Sequence, residues 1–174
     1  MAKIDYIYEA VDDFGLITSA EAADLGMSRA EMVQQEKLGK LVRVARGVYR
    51  MPIWPSQPQA PYAIAVKAAG EDAFLYGESV VALLGLAPTD PTKVRLASPK
   101  RCRRDLGPGV TVKHVTGTRP VYLEGIACQP IPDAIEAAAQ TMGPLRAADA
   151  LRKALGEGYV TQDDADRIEK ELSL

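Results

Sequence analysis

Apolar residues near the start of the chain recur at helical spacing. They stand at positions i, i+3, i+4 and i+7, and they are Ile4, Ile7, Tyr8 and Val11. Residues with this spacing share one face of a helix and can bury it against neighbouring elements. The pattern predicts a first helix that closes a small core.

Two helix starts follow in quick succession. Thr18 and Ser28 are each followed three residues later by a glutamate, which is the capping-box pattern. The spacing leaves a short helix from Ser19 to Asp24 and a tight turn, in which Gly26 adopts a positive φ without steric cost. Two helices joined in this way predict a helix-turn-helix.

A basic hairpin is predicted directly after the second of these helices. Gly39 ends that helix, and the β-forming residues between Leu41 and Arg50 indicate two short strands that turn at Arg46-Gly47. A helix-turn-helix followed at once by a hairpin is typical of a winged helix. We therefore predict a winged helix-turn-helix domain over residues 1–51.

The remaining chain predicts a proline-rich linker and a second domain. Four prolines fall within residues 52–61, where they exclude a continuous helix or a central strand. Residues 62–174 show helical patterns first, then β-forming segments at 93–97, 110–115, 121–123 and 126–131, then helical patterns again. This order predicts an α+β domain with a small, mostly antiparallel sheet and C-terminal helices.

Composition restricts the class of protein. With 47% apolar and 25% charged residues, the chain resembles an ordinary soluble protein. It has no apolar run of about 18 residues, so we predict no membrane partner. Its first residues lack the apolar stretch of a secretion signal, so we expect a cytoplasmic protein.

The predicted winged helix carries side chains suited to DNA. Cations neutralise phosphates, and long polar side chains read base edges. The residues predicted to contact DNA on this ground are Arg29, Gln34, Gln35, Lys37, Lys40, Arg43, Arg46 and Arg50. The alternative is a winged helix that binds a protein without binding DNA, because the first 55 residues are slightly acidic overall.

A second basic segment lies in the predicted α+β domain. Residues 93–119 contain eight lysines and arginines against the single acid Asp105. Four of these cations fall in one turn-rich loop: Lys100, Arg101, Arg103 and Arg104. The loop is either a second contact surface, for DNA or for an acidic partner, or an ordinary solvated loop.

No catalytic, metal-binding or cofactor-binding motif is present. The single histidine, His114, lies next to Lys113 in a predicted strand and has no nucleophile motif near it. Cys102 and Cys128 stand apart, too few with one histidine for a zinc site, and we predict that both are buried and reduced. We predict that the protein is not an enzyme and needs no cofactor or metal.

Several stretches resemble the AbiEi-like antitoxins of type IV toxin-antitoxin systems. The matching stretches are Gly15-Leu-Ile-Thr-Ser-Ala-Glu-Ala22, Gly26-Met-Ser-Arg29 and the segment from Gly39 to Arg50, and more weakly Tyr76 to Leu86 and Ile126 to Ala138. The resemblance implies an N-terminal winged helix that binds operator DNA and represses its own operon, as a dimer or as paired monomers on repeated half-sites. It also implies a C-terminal domain that opposes a nucleotidyltransferase toxin. The positions inside the matching motif that inherit the DNA-binding role are Ser28, Arg29, Arg43, Arg46 and Tyr49.

Overall fold

The computed structural model describes residues 1–173 and divides the chain into two units, residues 1–68 and the part from Ala69 onward. Within the described residues there are eight helices and eight strands. The predicted α+β class is therefore confirmed. The predicted domain boundaries, at residues 51 and 62, lie within the first unit and stay a prediction.

The first unit has the helix and strand order of a winged helix. Its elements are α1 (Lys3–Ala10), β1 (Leu16–Thr18), α2 (Ser19–Asp24), α3 (Arg29–Lys37), β2 (Val42–Ala45), β3 (Val48–Arg50) and α4 (Ala60–Ala69). The strands form an antiparallel sheet in the order β1-β3-β2. The predicted α2 and the predicted hairpin are both confirmed, and β1 is an additional strand that pairs with β3.

The core of this unit joins the three helices to one face of the sheet. Its buried members are Ile4, Ile7, Ile17, Ala22, Met27, Met32, Leu41 and Tyr49. Ile4 and Ile7 come from the predicted apolar face of α1, whereas Met32 is the one buried residue of α3. Because α3 is anchored through Met32, the opposite side of this helix is left exposed.

The irregular segment between β3 and α4 is fixed to the first unit by Trp54. Its indole Nε1 donates a hydrogen bond to the carbonyl of Asp13 at 3.2 Å. The side-chain amide of Gln57 donates to the same carbonyl at 2.9 Å. The proline-rich segment therefore packs against the turn between α1 and β1 of the same unit.

The second unit combines five strands with four helices in its described part. Its elements are β4 (Phe74–Leu75), α5 (Glu78–Leu83), β5 (Val94–Ser98), β6 (Val110–His114), β7 (Val121–Leu123), β8 (Ile126–Cys128), α6 (Ile131–Met142), α7 (Pro144–Gly156) and α8 (Gln162–Glu171). The sheet order is β6-β5-β4-β8-β7. Helices α5 to α8 enclose a core of small and branched residues, among them Val81, Ile135, Leu151 and Ile168.

This sheet is mixed, although we predicted a mostly antiparallel one. The pairs β4–β5 and β7–β8 are antiparallel, whereas β4–β8 and β5–β6 are parallel. A parallel pair needs a connection that returns along the strand, and residues 99–109 provide it for β5 and β6. Gly109 makes this return possible: any Cβ there would collide with the carbonyl oxygen of Thr92.

One further prediction for this unit is wrong. Ile131 was predicted to end a strand, but it begins α6, because Pro130 precedes the helix and Pro132 lies in its first turn, where proline is favoured. In α5, Ser79 is buried, and its hydroxyl accepts a hydrogen bond from the Arg95 amide at 2.7 Å.

Candidate DNA-binding surface

The start of α3 is set by local capping and by one long-range ion pair. The Ser28 hydroxyl accepts from the Glu31 amide at 3.2 Å. The predicted capping box is only half formed, because the Glu31 carboxylate binds Lys3 on α1 at 2.8 and 3.1 Å. The hydrogen bond from Lys3 lowers the pKa of Glu31, so this link between α1 and α3 is charged at neutral pH.

The complete capping box belongs to α2. The Thr18 hydroxyl accepts from the Glu21 amide at 3.1 Å, and the Glu21 carboxylate accepts from the Thr18 amide at 3.3 Å. Gly26, in the turn that follows, has φ +90°, as predicted. The Gly26 amide donates to the Ala23 carbonyl at 3.0 Å, and Ser28 caps α3, so local hydrogen bonds hold both ends of the turn between the two helices.

A Schellman motif ends α3 and directs the chain into the hairpin. The Gly39 amide donates to the Glu36 carbonyl, and the Lys40 amide donates to the Gln35 carbonyl, both at 2.9 Å. Gly39 has φ +71°, which confirms its predicted role. The Lys40 carbonyl then accepts from the Tyr8 hydroxyl at 2.7 Å, which places Lys40 firmly at the junction of α3 and the hairpin.

The outward side of α3 is defined by its position relative to Met32. Gln34 and Lys37 are exposed, and Arg29 is exposed in the first turn. Gln35 differs from its neighbour, because it is half-buried and its Oε1 atom is buried without a hydrogen-bond partner in the described part of the chain. Among the two predicted glutamines, only Gln34 is therefore presented to a ligand.

The strand register places the hairpin arginines on different faces. Arg43 pairs with Tyr49, which pairs with Ile17 on the other side, so these three share the face that packs against the helices. Arg50 pairs with Leu16 and therefore lies on the opposite face. Because β2 is an edge strand, Arg43 remains exposed on the side of the sheet where α3 packs, and Arg46 is exposed at the turn.

The charges of the first unit are segregated along the chain. Residues 1–28 carry six acids and one lysine, whereas residues 29–50 carry six cations and two acids. One of those two acids, Glu31, is paired with Lys3. None of the ion pairs within residues 1–173 involves a cation of the 29–50 segment. Although the total charge of the unit is balanced, residues 29–50 therefore carry an excess of cations. Within α3 itself, Arg29 and Lys37 are matched by Glu31 and Glu36, so the excess lies in Lys40 and the hairpin.

Most of the first unit matches a known protein family. Residues 5–52, which run from α1 to just beyond β3, match a family model described as transcriptional regulator, AbiEi antitoxin. We call this matching segment of the first unit the AbiEi-type domain. The resemblance predicted from the sequence is thereby confirmed for this segment, and the match supports a role as a regulator or antitoxin. The family is one of regulators rather than of enzymes. No curated protein matched the chain.

Two residues predicted to contact DNA do not lie on the exposed surface formed by α3 and the hairpin. Tyr49 is only 5% exposed and belongs to the core, because its strand position faces Ile17 and the helices. Arg50 is half-buried on the other face of the sheet, and its Nε atom is buried without a hydrogen-bond partner among the described residues. We therefore correct the predicted surface by removing Tyr49 and Arg50.

Apart from the half-buried Gln35, the remaining predicted residues of the AbiEi-type domain stay candidates. Ser28 is exposed, but its hydroxyl is already used in capping, so it serves to position α3. The exposed cations and amide are Arg29, Gln34, Lys37, Lys40, Arg43 and Arg46. Lys3 was missed by the sequence analysis, since a pair between residues 28 positions apart leaves no local pattern.

The second basic segment is partly neutralised within its own unit. Arg95 lies 3.4 Å from the buried carboxylate of Glu78, and Lys100 lies 3.1 Å from Asp72. The Lys113 ammonium stands 5.2 Å from the centre of the Tyr76 ring. Arg101 and Arg103 are exposed, and with Arg104 they line a polar cleft of about 280 Å³. Their predicted contact role stays open.

The single histidine and the two cysteines lie in the second unit. His114 is exposed, with its Nε2 atom 3.0 Å from the Pro99 carbonyl. Cys128 is buried, as predicted, whereas Cys102 is only half-buried in the basic loop. No group of three metal-binding side chains occurs within residues 1–173. Across the same residues, every helix falls short of the length and apolarity of a membrane span.

Proposed function

We propose that this chain is the DNA-binding antitoxin of a type IV toxin-antitoxin system, which represses its own operon and opposes a nucleotidyltransferase toxin. The observation that supports it best is the group of exposed cations on α3 and the hairpin of the AbiEi-type domain, which form no ion pair within residues 1–173. The family description supports a regulator or antitoxin in general. The operator, the operon and the toxin are our proposals.

The exposed side of α3 enters the major groove of the operator in this proposal. Gln34 faces the base edges, because it lies opposite the buried Met32. Arg29 and Lys37 lie near the two ends of the helix, where phosphates of the groove walls come within reach. Lys40 continues this row of cations into the hairpin.

The hairpin supplies a second line of phosphate contacts. Arg43 is exposed on the edge strand, on the side of the sheet that packs against α3, and Arg46 is exposed at the turn. Cations at these positions meet the DNA backbone beside the recognition helix. We propose a dimer or paired monomers on repeated half-sites, since helix-turn-helix proteins commonly bind in this way.

The second unit carries the toxin-directed role in this proposal. The family match ends at residue 52, and the part from Ala69 onward has its own sheet and its own core. Co-expression with a nucleotidyltransferase encoded beside the gene tests the antitoxin role of the full chain. We expect the full chain to restore growth, and a toxin that remains lethal beside the folded chain would contradict the proposal.

DNA binding is tested with the segment upstream of the gene, by fluorescence anisotropy over a range of salt concentrations. Arg43→Ala combined with Arg46→Ala should weaken binding roughly tenfold per residue near 0.1 M salt. The slope of log K against log salt should fall by about 2, because each phosphate contact contributes about 0.9. The control is Arg146→Ala with Arg152→Ala, two exposed arginines of α7, which should leave the slope unchanged.

A protein-binding winged helix is the competing function. It is favoured by Leu25 and Leu38, which flank α3 and are 43% and 58% exposed. Under this alternative the upstream DNA binds no better than unrelated DNA, and the arginine variants behave like the folded parent. That outcome would replace our proposal.

A further inference from the structure

The outward face of α3 carries an apolar residue among polar ones. Ala30, Gln34 and Lys37 stand at i, i+4 and i+7 on the side of α3 away from Met32. Val33, at i+3, lies at the edge of this side, about 100° around the axis from Met32. Val33 is 42% exposed. Neither Ala30 nor Val33 was singled out from the sequence, although their spacing from Met32 would have revealed them.

Val33 does not belong to a continuous apolar patch. Its exposed neighbours are Gln34, Lys37 and the small Ala30. Leu38 lies at the opposite edge of the outward side, beyond Gln34 and about 140° around the axis from Val33. A protein-docking face of a helix usually presents several adjacent apolar residues. Val33, a single branched side chain among polar ones, therefore suits a binding partner that presents one apolar group at a defined position.

The major groove of DNA offers such a group. Thymine carries a 5-methyl group there, and it is the apolar feature that distinguishes an A·T pair from a G·C pair. Adenine presents N7 as an acceptor and N6 as a donor, which a glutamine amide matches with two hydrogen bonds. Gln34 is exposed next to Val33, whereas the carbonyl oxygen of the Gln35 side chain is buried.

We infer that α3 reads neighbouring A·T pairs, in which Gln34 binds an adenine and Val33 contacts a thymine methyl group. The small side chain of Ala30, one turn before Gln34, allows the helix backbone to approach the base edges closely. Lys37 lies on the same face and neutralises a phosphate. This inference rests on the proposed function, because it specifies the bases read by the same surface.

The test uses single-atom changes in the operator, which is first located by footprinting the upstream DNA. Deoxyuridine replaces each thymine in turn and removes only the methyl group. We expect one position per half-site to weaken binding about fourfold, the equivalent of one buried methyl group. The Val33→Ala variant should bind the thymine and deoxyuridine operators equally well.

A matching substitution tests Gln34. Replacement of the recognised adenine by 7-deazaadenine removes the N7 acceptor, and we expect a loss of about tenfold for the parent protein. The Gln34→Ala variant should be insensitive to this replacement. Leu145→Ala, a change at a 72% exposed residue of α7, serves as the control and should keep both sensitivities.

These experiments distinguish failure of the base assignments from failure of DNA binding itself. If binding depends on Arg43 and Arg46 but no base analogue affects it, the inference is overturned and the proposed function stands. If Val33→Ala retains the full sensitivity to deoxyuridine, the assignment of Val33 is overturned. If the upstream DNA is not bound at all, both proposals fail. Unchanged thermal unfolding of the exposed-site variants excludes misfolding as a cause.

Discussion

Gly15 lies where the proline-rich segment packs against the winged helix. Its φ is +71°, and a Cβ at this position would lie 2.5 Å from the Trp54 ring. Its carbonyl also accepts a hydrogen bond from the Met51 amide at 3.0 Å. The close approach of backbone and indole therefore depends on the missing side chain.

We expect Gly15→Ala to displace Trp54 as well as to strain the backbone. The positive φ alone costs about 1–2 kcal/mol. Gly39→Ala is a matched control, because its φ is also +71° but its Cβ would meet nothing within 4 Å. Urea unfolding should show a larger loss for Gly15→Ala, and emission of the single tryptophan should shift to the red only in that variant. Equal losses with unchanged emission would contradict this account.

Cys128 and Cys102 differ in their surroundings. Burial raises the pKa of the Cys128 thiol to about 12. Because the thiolate is the reactive form, we expect only Cys102 to react rapidly with a disulfide reagent at pH 8. Cys128 should react after unfolding in urea, and Cys102→Ser should remove the rapid phase. Two thiols reacting at one rapid rate in the folded protein would refute this prediction.

The raised pKa of Cys128 makes the stability of the fold depend on pH above pH 9. The ordinary pKa of the thiol is near 9, so the unfolded chain loses this proton above pH 9. The folded chain keeps it until about pH 12. The contribution of Cys128 to stability is therefore complete below pH 9 and declines as the pH rises towards 12.

At the level of single residues, the segments that carry DNA-binding side chains could be predicted from the sequence, but the direction in which each side chain points could not. Gln34 and Gln35 are the same residue type, as are Arg43 and Arg50, so residue type alone cannot tell which of each pair is exposed. Their orientation follows from the position of Met32 on α3 and from the pairing of β3 with both neighbours. Tyr49 was misplaced for the same reason.

Among the secondary-structure elements, α3 depends most on its first residue. Ser28 accepts the hydrogen bond from the Glu31 amide, and replacement of such a cap by alanine costs about 1 kcal/mol. We expect Ser28→Ala to lower the free energy of unfolding by this amount in urea titrations. Ser56→Ala, a change at an exposed serine between β3 and α4, should leave the free energy unchanged.

Two other substitutions at Ser28 separate stability from DNA binding. Asparagine and aspartate both cap helices as well as serine does. Ser28→Asn should therefore restore stability and keep operator affinity. Ser28→Asp should also be stable, but its negative charge would lie beside the phosphates and weaken binding. If Ser28→Asp binds the operator as tightly as Ser28→Asn, the start of α3 does not face DNA.

Elements with strong local signals were predicted well, whereas those defined by their partners were missed. Caps and glycines fixed α2, and β-forming residues around Arg46-Gly47 fixed the hairpin. The strands β1 and β4 have only three and two residues, and each exists through pairing with distant strands. The parallel pairing of β5 with β6 likewise depends on the return of a loop, which local preferences do not encode.

Across the whole molecule, cations are concentrated in two stretches of the sequence. One is the α3 and hairpin segment of the first unit, and the other is the loop around Arg101 and Arg103 in the second unit. In the second unit, Arg95 and Lys100 are already paired with acids. A charge-dependent partner would therefore meet mainly Arg101, Arg103 and their neighbours at the cleft.

We predict that this loop contributes to DNA binding by the full chain. Closely spaced arginines repel one another, and an anion between them relieves the repulsion. Arg101→Ala with Arg103→Ala should reduce the salt slope of operator binding by about 2, the value for two lost phosphate contacts. The control Arg146→Ala with Arg152→Ala removes the same charge from α7 of the same unit. An unchanged slope in the loop variant would exclude DNA, and retained antitoxin activity in that variant would then exclude an acidic toxin surface as well.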